Sequence, residues 1–396
     1  MKSIFLIIFI CLLSVQISNA QWMLDTNGIG YTSEFSFVVS GNNIFTGTFN
    51  TGVFLSSNNG SSWAQTGLNN QYVISLAANG SNIFAGTYGG GLYLSTNNGT
   101  TWTQTSLLSA YVPSLLVVGN NIYAGAYYDG VHLSTNNGTT WTQTSLNNLD
   151  IYSLAVSGST LFAGTLLNGV YISTNNGSNW TQTSLNNHSI QSLFINGTDI
   201  YAGTYSSAGI YLSTNNGTSW TPTSFPNESV YSFAVSGNTI FAGSDGYGVY
   251  TSTNRGANWV QRNEGFLGNL RVFGLCILNG FIYAASDYDL YRRPLSDIIG
   301  IKPISEQVPD HYSLEQNYPN PFNPTTKIRF ALTKSSFTNL VIYDALGREM
   351  ETIVNEQLNP GTYAVDWSAG KFSSGMYFYR LKAGDYVDTK KMLLIK

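Results

Sequence analysis

A block of about 39 residues recurs six times along the chain, and each copy carries the string Ser-x-Asn-x-Gly-x-x-Trp. The copies end at Trp63, Trp102, Trp141, Trp180, Trp220 and Trp259, so successive tryptophans lie 39, 39, 39, 40 and 39 residues apart. A fixed period of this size marks a solenoid, a propeller or an array, because a unit this small cannot bury its apolar face without neighbours.

Each block divides into four short segments. In one copy they are Ile74-Ser75-Leu76-Ala77-Ala78, Asn82-Ile83-Phe84-Ala85-Gly86-Thr87, Gly91-Leu92-Tyr93-Leu94-Ser95-Thr96 and Trp102-Thr103-Gln104-Thr105-Ser106-Leu107. All four favour β-branched or aromatic residues, several alternate with period two, and Gly or Asn clusters separate them. None is long enough for a helix with an apolar stripe. Four strands per repeat predicts the blade of a β-propeller. The first segment occurs seven times, near Ser36, Ile74, Ser114, Tyr152, Gln191, Tyr231 and Phe273. The second and third also occur seven times, but the fourth follows its own repeat only six times. Gln21-Trp22-Met23-Leu24 supplies the missing copy, with Trp22 lying 41 residues before Trp63. The expectation is therefore an all-β chain with a seven-bladed β-propeller over 21–293. The N-terminal strand would close the ring and cover an otherwise open sheet edge.

With charged residues at only 10% and a net charge of −4, the chain lacks the basic footprint of a nucleic-acid binder. Its 26 tyrosines and 14% aromatic content argue against disorder. Residues 1–20 read as a secretory signal peptide: Lys2, an apolar run from Ile4 to Val15, then Ser18-Asn19-Ala20. The run is too short for a comfortable membrane span, so no transmembrane segment is expected after cleavage. Cleavage would leave Cys276, inside an apolar run, as the sole cysteine, which excludes an intrachain disulfide. Residues 294–311 carry Pro294, Pro303 and Pro309 without a repeat and read as a linker. From Tyr312 to Lys396 the alternation and turn residues suggest a small Ig-like β-sandwich.

The repeated string resembles the Asp-box of sialidase-like propellers, S-x-D-x-G-x-x-W, with Asn58, Asn97, Asn136, Asn175, Asn215 and Asn254 in the Asp position. Asn-Gly favours positive φ and a tight hairpin turn, and the first Asn can satisfy turn donors with its side chain. The resemblance implies a structural role for the string, on the face opposite the binding site. Residues 312–396 resemble the C-terminal sorting domain of the type IX secretion system. The resemblance rests on Asn317-Tyr318-Pro319-Asn320-Pro321-Phe322, on Gly375-Met376-Tyr377-Phe378-Tyr379-Arg380-Leu381 and on the terminal Lys391-Met392-Leu393-Leu394-Ile395-Lys396. It implies export by the type IX machinery and attachment at the bacterial cell surface.

Sialidase chemistry needs an arginine cluster, and the repeats hold only Arg255, Arg262, Arg271, Arg292 and Arg293, all in their last third. Glycosidases need two carboxylates flanking the bond. Asp129 and Asp245 sit at equivalent loops of different repeats, but Asp beside Gly or in such loops is ordinarily a turn residue. His132 and His188 lack zinc spacing, so no metal or other cofactor is expected. Residues that vary between copies are the better functional candidates. The loops between second and third segments vary most, and they carry Tyr88, Tyr127, Tyr128, Asp129, Tyr205, Asp245, Tyr247 and Tyr288; Tyr72, Tyr111, Tyr152 and Tyr231 lie on the loops that lead into the next repeat. Both loop sets should open on one face. Tyr offers a flat apolar ring and a hydroxyl, which suits sugars and protein epitopes. The expected function is a secreted, surface-attached, non-catalytic binding or scaffold propeller for polysaccharide or a surface protein, with a glycoside-hydrolase-like enzyme as the alternative.

Overall fold

The computed structural model describes residues 21–395 except 31–33, 207, 269, 288, 300, 301, 306, 359 and 371. The expected signal peptide therefore lies outside the described residues. Among the described residues the fold is all-β apart from one short helix, Ser296–Ile299.

Six four-stranded antiparallel sheets take the chain in order, one per repeat. A representative sheet joins Val73–Asn79, Asn82–Thr87, Leu92–Ser95 and Thr103–Gln104. The fourth strand is shorter than the six-residue segment expected. Its chain turns at Thr105, which still donates to the carbonyl of Leu92, while Leu92 donates back to Leu107. A further sheet joins Val272–Leu278, Phe281–Ser286 and Leu290–Pro294 to Met23–Leu24, so the N-terminal strand supplies the fourth position of the last repeat. Met23 pairs with Arg292 and Leu24 with Tyr291. Trp22 is only 2% exposed, stacks on Phe266 at 4.8 Å, and donates its Nε1 proton to the carbonyl of Arg262 at 2.6 Å.

First strands of successive sheets pack side by side, and Val272–Leu278 of the last packs against Glu34–Ser40 of the first. The contact is close because the second strand carries Gly opposite a β-branched residue of the next sheet. A Cβ on Gly125 would lie 2.6 Å from Cγ2 of Ile151, and one on Gly164 would lie 2.7 Å from Cγ2 of Ile190. A serine one strand inward ties other junctions of this kind: Ser75 donates to the carbonyl of Val112 at 2.7 Å, and Ser192 to that of Val230 at 2.8 Å.

The repeated string forms the connection between third and fourth strands. It is wider than the tight hairpin expected from Asn-Gly, because the strands end at Ser56 and resume at Ala64. Asn59 and Gly60 take φ of 56° and 76°, the left-handed region that Asn and Gly tolerate best. Ser56 Oγ accepts from the Gly60 amide at 2.8 Å and donates to Asn58 Oδ1 at 3.0 Å. Asn58 Oδ1 also accepts from the Ser62 amide at 3.0 Å, and its Nδ2 donates to Ser62 Oγ at 2.8 Å. The last copy places Arg255 at the left-handed position, φ 59°, and its guanidinium grips buried Asp199 of the preceding sheet through Nε at 2.6 Å. The turn glycines also seat on the neighbouring sheet: a Cβ on Gly138 would meet Cε1 of Phe84 at 2.7 Å.

Residues 294–311 do not form a plain linker. Leu295 is buried in the cluster around Trp22 and Tyr291, and Lys302–Ser305 pairs with Gly361–Ser368 as an edge strand of the C-terminal unit. An edge strand accommodates Pro303, which has no N–H for a second ladder. With that strand included, the unit is two four-stranded sheets enclosing one core that includes Phe330, Leu340, Tyr379, Leu381 and Trp367.

Candidate functional site

The loops between second and third strands, and those leading into each first strand, share one end of the sheets; the Ser-Asn-Gly turns occupy the other. At the first end lies a cavity of about 730 Å³. Its floor includes Leu76, Leu115, Leu193 and Leu275, and its wall includes Phe49, Tyr72, Tyr111, Tyr152, Tyr231, Phe273, Arg271 and Asp287.

Phe49 and Asp287 come from loops between second and third strands, and the other wall residues sit at two positions in or just before a first strand. Tyr152, Gln191, Tyr231 and Phe273 each sit immediately before the serine or glycine that pairs with the second strand, at a register shift. A bulge of this kind re-aims a side chain. Tyr72, Tyr111 and Arg271 sit two residues earlier, where they brace the loop of the preceding sheet. Tyr72 packs edge-on against Phe49 at 4.5 Å, and Tyr111 against Tyr88 at 5.3 Å. Elsewhere the same position is polar: Asp150 accepts from the Tyr128 amide at 2.6 Å, Ser189 from that of Leu167 at 3.1 Å, and Ser229 from that of Ser206 at 3.1 Å. Tyr72 and Tyr111 are thus not equivalent to Tyr152 and Tyr231, which the loop reading had grouped together.

Of the eight residues expected as the site, none of the seven described lines the cavity itself. Tyr88, Tyr128, Tyr205 and Tyr247 are exposed. They form an outer tier, and on one side that tier leans on the inner one: Tyr72 to Tyr88 is 5.4 Å, Tyr111 to Tyr127 is 5.6 Å, and Tyr127 to Tyr128 is 4.2 Å. Asp129 holds its own loop, accepting from Gln143 at 3.0 Å with His132 Nε2 also 3.0 Å away. Asp245 lies 4.0 Å from Arg271. Tyr288 lies outside the described residues.

The polar edge of the cavity centres on Arg271, which sequence reasoning counted only as a stray arginine. Its Nη2 meets Asp287 at 2.7 Å and its Nε meets the other oxygen at 3.0 Å, while its guanidinium lies 5.5 Å from the Phe273 ring. Aligning the repeats on the first-strand serine would have placed Arg271 in the row of Tyr72 and Tyr111. Burial, reinforced by Tyr152, Tyr72, Tyr88 and Tyr127, pushes the Tyr111 hydroxyl well above the usual phenol range. Burial and then Asp245 do the same for Tyr231. At neutral pH the wall therefore presents uncharged rings and hydroxyls, with one ion pair at its edge. Among the described residues no three His, Cys, Asp or Glu side chains cluster as a metal site would require.

Residues 114–239 match the family described as the DUF6242 beta propeller domain, and residues 316–396 match the secretion system C-terminal sorting domain. No curated protein matches the sequence. Solved structures share the fold at low identity. PorZ, a surface component of the type IX secretion system of Porphyromonas gingivalis, is 14% identical with a TM-score of 0.54, over 91% of this chain and 59% of that one. YCF48 bound to D1 peptide is 11% identical with a TM-score of 0.56, over 69% of this chain and 96% of that one. The GH74 xyloglucanase of Xanthomonas campestris is 12% identical with a TM-score of 0.55, over 78% of this chain and 59% of that one. Among the described residues no helix is long and apolar enough to cross a membrane. The chain thus joins β-propeller sheets to a type IX C-terminal sorting domain, and it is a secreted protein attached at the cell surface.

Proposed function

We propose that this protein is a non-catalytic binding propeller whose tyrosine-lined mouth holds an extended polysaccharide, with a surface protein as the second choice. In this reading the sheets over 21–293 form a seven-bladed ring closed by the N-terminal strand and stitched by Asp-box-like turns. Residues 312–396 form an Ig-like sandwich that serves sorting. The observation that carries the reading is the aromatic arc from Phe49 through Tyr72, Tyr88 and Tyr111 to Tyr127 and Tyr152, with neighbouring centroids 4.5 to 6.4 Å apart. Tilted rings beside a wide cavity suit sugar faces, and several weak contacts add up along a polymer. Uncharged hydroxyls supply hydrogen bonds without the desolvation cost of buried charge. Asp287, the carboxylate at the wall, is already held by Arg271 in a two-point ion pair, which suits orientation better than proton transfer.

The test is a glycan array with the secreted protein, followed by titration of the best polysaccharide against the Tyr72→Ala, Tyr111→Ala double variant. A loss of tenfold or more in affinity is expected. Retention of wild-type affinity would remove the mouth as the site, and release of reducing sugar ends from the bound glycan would turn the reading to a hydrolase.

A further inference from the structure

We propose that the surface-attached protein presents its mouth away from the cell, open to a macromolecule arriving from outside. The inference rests on the mouth being the binding site and on the path of the chain between the two units. The last strand of the repeats, Leu290–Pro294, runs from the mouth loop holding Asp287 to the opposite end of its sheet. There the Leu295 amide donates to the carbonyl of Gly280, in the hairpin between Val272–Leu278 and Phe281–Ser286. Leu295 is 1% exposed in the cluster with Trp22, and Ile298 packs against the same cluster, so the exit is fastened to the sheet.

Only residues 300 and 301 separate the helix Ser296–Ile299 from Lys302–Ser305, the edge strand of the C-terminal unit. Three peptide steps span at most about 11 Å, far short of the length of a sheet strand and its loops. The C-terminal unit therefore stays at the hairpin end. An independent contact agrees: Asn238, in the corresponding hairpin of the preceding sheet, donates its Nδ2 proton to the carbonyl of Thr352 at 2.6 Å. Whatever holds the chain at the surface through its C-terminal part pulls on the end opposite the mouth.

The experiment uses the full chain in its native host with single introduced cysteines, Tyr88→Cys at the mouth and Thr198→Cys on a hairpin at the other end; both positions are exposed, while the native Cys276 is buried. Intact cells and detergent-released protein are treated with a 5-kDa polyethylene glycol maleimide, a reagent size of about that order being chosen to exceed a single side chain's reach. The expected result is labelling at position 88 within about twofold of the released protein, and labelling at position 198 reduced at least about fivefold on cells, since the reagent needs an open approach. Equal labelling at both positions on intact cells, or protection of position 88, overturns the orientation. Labelling does not depend on a ligand, so a mouth that binds nothing on the array fails the functional reading and leaves this measurement intact.

Discussion

The two ends of the repeats belong to the same recurring blocks and carry opposite constraints. At the turn end, every copy repeats the same bonds: Ser95, Asn97, Gly99 and Thr101 in one sheet do what Ser134, Asn136, Gly138 and Thr140 do in the next. At the mouth end, equivalent positions hold Tyr72, Tyr111, Asp150, Ser189, Ser229 and Arg271, which brace the neighbouring loop variously by ring contacts, by accepting an amide hydrogen bond or by charge. Repetition marks the end that holds sheets together. Variation marks the end free to differ, which is where binding residues belong.

The largest break in this contrast is expected where the N-terminal strand joins the last sheet. Trp22→Ala removes a buried ring and its bond to Arg262, and should cost about 3–5 kcal/mol in urea unfolding without touching the mouth. An unchanged midpoint would show that the N-terminal strand is not part of the stable fold. Next is Gly138→Ala at the turn end, where φ is 82° and Phe84 blocks the new methyl. A loss of about 1–3 kcal/mol is expected, again with ligand affinity preserved.

A pH scan sharpens the same comparison at the junction of first and last sheets. Burial raises the Asp25 carboxyl from 3.8 to about 6, against opposing pulls from Arg292 and Trp63. A raised carboxyl means the folded state holds its proton more tightly than the unfolded chain does. The stabilisation is complete below about pH 4 and is lost as pH climbs through about 6. Thermal midpoints should therefore fall over that window in wild type and fall less in Asp25→Asn. Identical slopes for the two proteins would contradict the assignment. The smallest stability effect belongs to the mouth. Tyr88→Ala, at a ring 61% exposed, should stay within about 0.5 kcal/mol of wild type while weakening polysaccharide binding. A destabilisation matching that of Gly138→Ala would make the outer tier part of the scaffold instead.

The Ser-x-Asn-x-Gly turn and the four strands per copy were legible because their causes are local. Every donor and acceptor of the turn lies within eight residues, and the left-handed pair needs only Asn and Gly. The N-terminal completion of the last sheet was legible too, since a missing fourth segment and a spare Trp are a counting matter. The sorting unit announced itself by its own motif and matches its family over 316–396.

Other features waited for tertiary structure. The placing of Tyr152 and Tyr231 at the cavity depends on register shifts before Ser153 and Ser232, which no residue-level pattern declares. The Arg271–Asp287 pair joins two loops 16 residues apart, and its place at the cavity edge follows from how the last sheet meets its neighbours. The stretch after Pro294 looked like a spacer, yet it is pinned by Leu295 and paired through Lys302–Ser305, because edge pairing tolerates prolines that a local reading takes as breakers. By itself the sequence determined the repeating unit, through hydrogen bonds closed within a few residues. Only the assembled sheets decided which side chains converge on the cavity, because that depends on bulges and on packing between segments distant in the chain.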